Sequence, residues 1–187
     1  MNNKLIFIFI IIYLIILHFN IGYIKFYPSL PLYKSSKQEV KIVESKRNNI
    51  TANEIKMFWL TNKSVSHAFV PFVNENLREL NKISVKHNFI ILFFKYLINR
   101  IRPWQINSNL NPINISTAQT PSFPAGHAYQ AYLLEKYLSK KYPNNKNIYK
   151  NIAKKCDSCR VAAGLHYPSD GKFSKLLVDI FYPIFPI

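Results

Sequence analysis

The sequence predicts an all-α fold, a helical bundle preceded by one N-terminal hydrophobic helix. Apolar residues recur at helical intervals in several stretches, strand-like alternation is scarce, and one 20-residue run near the start carries no charge. Length agrees, since 187 residues with 49% hydrophobic content make one ordinary domain plus an appendage. With 14 Phe and 12 Tyr the chain can bury enough apolar surface to offset the entropy of ordering, which excludes wholesale disorder. Four Gly and two Cys exclude collagen and a disulfide scaffold.

The elements follow in chain order. Residues 5–24 are long enough to span about 30 Å as a helix, the thickness of a bilayer core, and read as a signal anchor or a signal peptide. The absence of an A-x-A cleavage pattern favours a retained anchor. Orientation stays open: Lys25, Lys34, Lys37 and Lys41 follow the span and argue for a cytosolic body, whereas a cleaved signal would export it.

Residues 25–50, with Pro28, Pro31, Ser35 and Ser36 among scattered charges, read as a linker, which leaves 51–187 as the folded domain. Within it, Ile55, Phe58, Trp59 and Val65 predict one helix, and the run 85–101 predicts another, stopped by Arg102-Pro103. Residues 104–124, rich in Asn, Ser, Thr and Pro, predict a long loop of the kind that carries function. Tyr132, Leu133, Tyr137 and Leu138 place a helix over 128–142, and Ile148, Ile152 and Cys156 another over 146–164. The segment 176–187 is too short and too interrupted to be a second membrane span. The body is therefore expected to be a soluble or membrane-facing helical domain, not a polytopic membrane bundle.

The charge of +16 invites a nucleic-acid partner, but none is expected. Twenty Lys against five Arg, beside 25 Ile and 20 Asn, point to compositional drift, and no basic-aromatic RNA motif or zinc-finger spacing accompanies the lysines. Rare residues inform more. Arg100, Arg102, Arg160, Gly126, Gly164 and Gly171 all fall between residues 95 and 171, where guanidinium geometry and bare backbone are concentrated.

Three segments there form a set: Lys95-x6-Arg102-Pro103, then Pro124-Ala125-Gly126-His127 within PSFPAGHAYQAY, then Arg160-x5-His166-x3-Asp170 within CRVAAGLHYPSD. In this order and spacing they resemble the three-part signature of the type 2 phosphatidic acid phosphatase (PAP2) superfamily, which includes class A acid phosphatases and vanadium haloperoxidases. The resemblance covers about residues 55–180 and implies a helical bundle of the PAP2/haloperoxidase type.

The residues also speak for themselves. A site that transfers a phosphoryl group without a metal must supply several fixed cationic or N–H donors. Lys95 and Arg102, seven apart, would share one face of a helix, and Arg160 adds a bidentate fork. Gly126 would let backbone N–H groups approach a phosphate at a helix start. His127 and His166 supply a reactive pair, and Asp170, four residues after His166, can fix its tautomer, which makes His166 the better nucleophile. Asp170 reads equally as an early-turn carboxylate of a helix that starts at Pro168.

The resemblance implies that His166 forms a phosphohistidine, that His127 protonates the leaving oxygen, and that Lys95, Arg102 and Arg160 hold the phosphate. No cofactor and no metal ligand set is expected. The expected partners are a phosphate-monoester substrate, lipid or soluble, and a membrane reached through residues 5–24. The alternatives are a vanadate-dependent haloperoxidase, against which the short body argues, and a catalytically weakened, membrane-tethered basic phosphate- or lipid-binding protein. Ala125, where the superfamily commonly has Ser, favours the latter. Cys156 and Cys159, though spaced C-x-x-C, lack a second pair and read as ordinary helical thiols; His18, His67 and His87 have no partner pattern.

Overall fold

The computed structural model of the chain describes residues 35–187 and, before them, Ile12 alone. The expected anchor with its His18, and the first ten residues of the expected linker, lie outside the described residues apart from Ile12. Among the described residues there are eight α-helices and no strand.

The first helix, α1 (Ser36–Asn48), falls where a linker is expected. It forms because Glu39, Val40 and Val43 share a buried face that packs on α5 (Pro103–Ile106) and α7 (Lys146–Ala162). α2 (Ala52–Thr61) opens on a reciprocal cap, with the Glu54 N–H donating to Thr51 Oγ1 at 3.2 Å and the Thr51 N–H donating to Glu54 Oε2 at 2.9 Å. It stops short of Val65, which lies in the 3₁₀ turn Val65–Ala68.

The single helix expected over 85–101 is two. α3 (Leu77–Val85), started by an Asn76/Glu79 capping box, ends before Lys86 and His87, and α4 (Asn88–Ile98) ends where Asn99 turns left-handed at φ 49°. The loop expected over 104–124 begins with the one-turn α5 and then runs without helix to Ala125.

α6 (Gly126–Lys141) is the central helix. Ala128, Tyr132 and Leu133 are buried on different sides of it because α7, α8 (Pro168–Ile184) and α3 pack around it. It ends before Pro143 with Lys140 and Lys141 at the negative end of its dipole. α7 ends at Gly164, whose φ of 81° strains any other residue, and this reversal delivers His166 to the start of α8. Two close approaches fix the pairings. Phe94 of α4 meets Phe173 and Phe181 of α8, and a Cβ on Gly171 would come within 1.9 Å of Asp157 Oδ1, so α7 and α8 approach this closely only over glycine. Phe89 and Phe93 of α4 and Leu176, Ile180 and Ile184 of α8 leave apolar side chains exposed. No helix among the described residues is long and apolar enough to cross a membrane.

Candidate active site

The three sequence segments meet at the N-terminal end of α6. Lys95 comes from the last turn of α4 and Arg102 from the residue capping α5. The pair does not share a helix face, as the spacing suggested, because the chain turns at Asn99 between them. What brings them together is a shared strip of backbone: Lys95 Nζ donates to Pro121 O, and Arg102 Nε donates to Thr120 O at 3.0 Å. Arg160, on the last turn of α7, donates through Nη2 to Thr61 O at 2.7 Å and stacks over the Phe58 ring at 4.6 Å. All three cations are buried, and Arg160 Nε has no hydrogen-bond partner.

His166 lies between Arg102 and Asp170. Arg102 Nη1 donates to His166 Nε2 at 3.0 Å and to Leu165 O at 2.8 Å, and His166 Nδ1 lies 3.2 Å from Asp170 Oδ2. Guanidinium can only donate and carboxylate can only accept, so the proton sits on Nδ1 and Nε2 carries the lone pair. Burial, reinforced by Arg102, holds His166 down to about 3, against the pull of Asp170. Its contact with Asp170 is thus a hydrogen bond between a neutral ring and a carboxylate at neutral pH.

Asp170 fills both roles that the sequence allowed. At the third position of α8 it accepts from the Tyr167 N–H at 3.0 Å, and from the same turn it orients His166. Burial alone would raise it, but the hydrogen bond from His166, the Arg100 charge and the Ser122 hydroxyl together hold it at about 2. Arg100, fully buried, donates to Asp170 Oδ1 at 2.6 Å and to Glu39 Oε2 at 2.9 Å, with its guanidinium 3.7 Å above the Tyr167 ring. A chain of contacts thus runs from Glu39 through Arg100 and Asp170 to His166 and Arg102.

His127, in the first turn of α6, faces the same cluster, and its Nε2 donates to Asn62 O at 3.2 Å. Burial first, then the nearby Arg160 charge, push it well below the ordinary imidazole range, so the ring is neutral with its lone pair on Nδ1. Burial and then Arg102 do the same to the Lys95 ammonium. A Cβ on Gly126 would stand 4.0 Å from Lys95 Cε, an ordinary contact. Glycine here is not demanded by packing, but it keeps the space over Lys95 clear beside the free N–H groups of the first α6 turn.

Ala125 caps α6 without a side-chain hydrogen bond, and the first turn lacks the hydroxyl that Ser would supply. Sequence reasoning missed Thr61 and Asn62, which hold Arg160 and His127, as well as Ser122, Glu39 and the pairing role of Arg100. Only Arg100 left a signal, as a rare guanidinium in the enriched window. Cys156 and Cys159 are buried free thiols; burial pushes Cys159 up to about 11 and Cys156 higher still, so both are protonated. His87 bridges Tyr129 and Phe185 O, and His67 Nδ1 meets Ser64 O; both are local structural contacts.

No protein-family profile matches the chain, and no curated protein matches it in sequence. Among solved structures it is similar to the first transmembrane PAP2 type phosphatidylglycerolphosphate phosphatase from Bacillus subtilis, at 18% identity and a TM-score of 0.50 over 97% of this chain and 96% of that one. The fold is therefore the all-α PAP2-type bundle.

Proposed function

We propose that the chain is a metal-independent phosphatase that hydrolyses phosphate monoesters through a phosphohistidine on His166. The observation that carries this reading is the tautomer of His166, whose Nε2 lone pair is turned toward the buried Arg102 guanidinium by Asp170 on the other ring nitrogen. Lys95, Arg102 and Arg160 are stripped of water, and Arg102 further disfavours the Lys95 charge, so an anion entering among them relieves these costs. The unpartnered Arg160 Nε and the first-turn N–H groups of α6 are further donors suited to phosphate oxygens.

In the first step His166 Nε2 attacks phosphorus, the ester P–O bond breaks, and His127 Nδ1 gives its proton to the leaving oxygen. His127 must first acquire that proton, and the negative charge of the bound ester favours this by raising its affinity for protons. In the second step His127 takes a proton from water as the water oxygen bonds to phosphorus, the P–N bond breaks, and orthophosphate leaves. The likeness to the Bacillus subtilis protein makes a lipid phosphate monoester the first substrate to try. Residues 5–24 are proposed to place the site at a membrane, a placement suited by the exposed apolar flank of α4 and α8.

The test is phosphate release by the full chain from lipid and soluble monoesters with EDTA present. His166→Ala should abolish turnover and the trapped phosphoenzyme. His127→Ala should slow alkyl phosphates by about 10²- to 10⁴-fold and nitrophenyl phosphate far less. Phosphoenzyme trapped on His127, or activity that vanishes in EDTA and returns with a divalent metal, would overturn the proposal.

A further inference from the structure

We infer that the cleft where α6, α7 and α8 meet, at the end of the bundle remote from His127, is a second anion site that takes clustered phosphate groups. Along α6 the lining lysines Lys136 and Lys140 are nine and 13 residues beyond His127, about 14 and 20 Å at 1.5 Å per residue, and the lining includes none of the candidate active-site residues. The inference stands on its own, whatever the catalytic residues do.

The cleft encloses about 670 Å³, within the size range of small-molecule sites. Six lysines line it: Lys136 and Lys140 from α6, Lys146, Lys150 and Lys154 from α7, and Lys175 from α8. Lysines that arose from compositional drift alone would be scattered, whereas here six of twenty surround one cavity. On α7 they recur every fourth residue, which stacks them on one helix face, an arrangement unfavourable by itself because like charges one turn apart repel. The acidic complement is too small to neutralise them. Asp179 is shared by Lys136 at 2.7 Å and Lys175 at 3.0 Å, and Glu135 is the only other carboxylate in the lining. Among the described residues no acid pairs with Lys140, Lys146, Lys150 or Lys154.

An independent feature points to a ligand. Tyr182 and Ser139 both belong to the lining, and the hydroxyl of each is buried just beneath it without a hydrogen-bond partner. Tyr182 is itself only 8% exposed. Buried hydroxyls in a protein normally find partners, and a small shift of these side chains toward the cleft would let phosphate oxygens supply them. The row Lys146, Lys150, Lys154 extends about 12 Å along α7, longer than one phosphate and matched to several in series. The shared chemistry is therefore a cluster of phosphates, carried either by a soluble polyphosphorylated molecule or by adjacent lipid head groups.

The experiment titrates the full chain in detergent with inorganic tripolyphosphate, and in parallel measures its binding to phosphatidylcholine vesicles with and without phosphatidic acid. Lys150→Gln/Lys154→Gln, two exposed changes whose folding is checked by circular dichroism, should weaken the phosphate-dependent binding by roughly tenfold or more. Tyr182→Phe, which keeps the ring, should weaken it severalfold. Arg160→Ala should leave it unchanged, because that guanidinium is buried against Thr61 and Phe58 and is not part of the lining. Tripolyphosphate binding with these effects assigns the site to a soluble ligand, and phosphatidic-acid-dependent vesicle binding with them assigns it to head groups. Absence of both, binding that survives the double lysine change, binding that survives Tyr182→Phe undiminished, or binding lost in Arg160→Ala would overturn the inference.

Discussion

Replacing Arg100 by Met tests the buried chain that supports His166. Arg100 sits between two carboxylates, its side chain and that of Asp170 fully buried and that of Glu39 4% exposed, with contacts of 2.6 Å and 2.9 Å. Met keeps the length and removes the charge, which leaves Glu39 and Asp170 buried together without the cation that contacts both. Breaking one partner of such a set costs about 3–5 kcal/mol, because the remaining charge is desolvated and unpaired. For a domain of this size each kcal/mol moves Tm by about 2–4 °C, so a drop of about 6–20 °C is expected at neutral pH.

The pH dependence gives the sign. In the natural chain the Asp170 pKa is lowered from 3.8 to about 2, so its contribution to stability is complete above the higher value and is lost as the pH falls through the lower one. Without Arg100 that carboxyl rises, and acid then relieves the variant by protonating it. The Tm gap should be widest at pH 7 and should narrow below about pH 4. Calorimetric melts of both proteins from pH 7 to pH 3 measure it, and Glu39→Gln added to Arg100→Met should restore part of the loss, because one of the two stranded charges is gone. A drop under about 2 °C at pH 7, or a gap that does not change with pH, would refute the reasoning.

Two further changes probe the neighbourhood. Burial pushes Asp157 up to about 6 despite the Tyr132 hydroxyl at 2.9 Å, and its Oδ1 has no partner, so its neutral form contributes stability that is lost as the pH rises through that value. Asp157→Asn should therefore be more stable than the natural chain at pH 8 by on the order of 1–3 kcal/mol and equal to it near pH 4; urea melts showing no gain at pH 8 would count against this. Ala125→Ser supplies the absent hydroxyl at the head of α6 and should lower the inhibition constant of orthophosphate about two- to tenfold, an expectation that an unchanged constant would defeat.

What the sequence made legible was local. α6, α7 and the Pro168 start of α8 could be read because their apolar residues, proline stops and glycine exits lie within a few residues of one another. The same holds for His166 and Asp170, four apart on a tight turn. What escaped depended on partners distant in the chain. Glu39 reads as a surface charge of a linker because the guanidinium that buries it is 61 residues away. Asn62 looks like a helix-end residue until His127 is found against its carbonyl, 65 residues on. Lys95 and Arg102 meet for a different geometric reason than their spacing suggests, since carbonyls at 120 and 121, not a common helix face, draw them together.

The buried chain also explains how an acid-dependent step and an acid-sensitive one could share a site. In the proposed reaction His127 must carry a proton before it can serve the leaving oxygen, which favours low pH. His166 needs an ionised Asp170 to keep its proton on Nδ1, which disfavours low pH. The two demands are compatible only if Asp170 stays ionised well below the range in which His127 gains its proton. The hydrogen bond from His166, with Arg100 and Ser122 behind it, provides that separation by holding Asp170 at about 2. Glu39 then offsets the charge that Arg100 brings into the core, and α1 is the element that carries it there. The helix that composition disguised as a linker is thus tied to the chemistry, since removing the Glu39 charge leaves Arg100 with Asp170 as its one remaining carboxylate among the described residues.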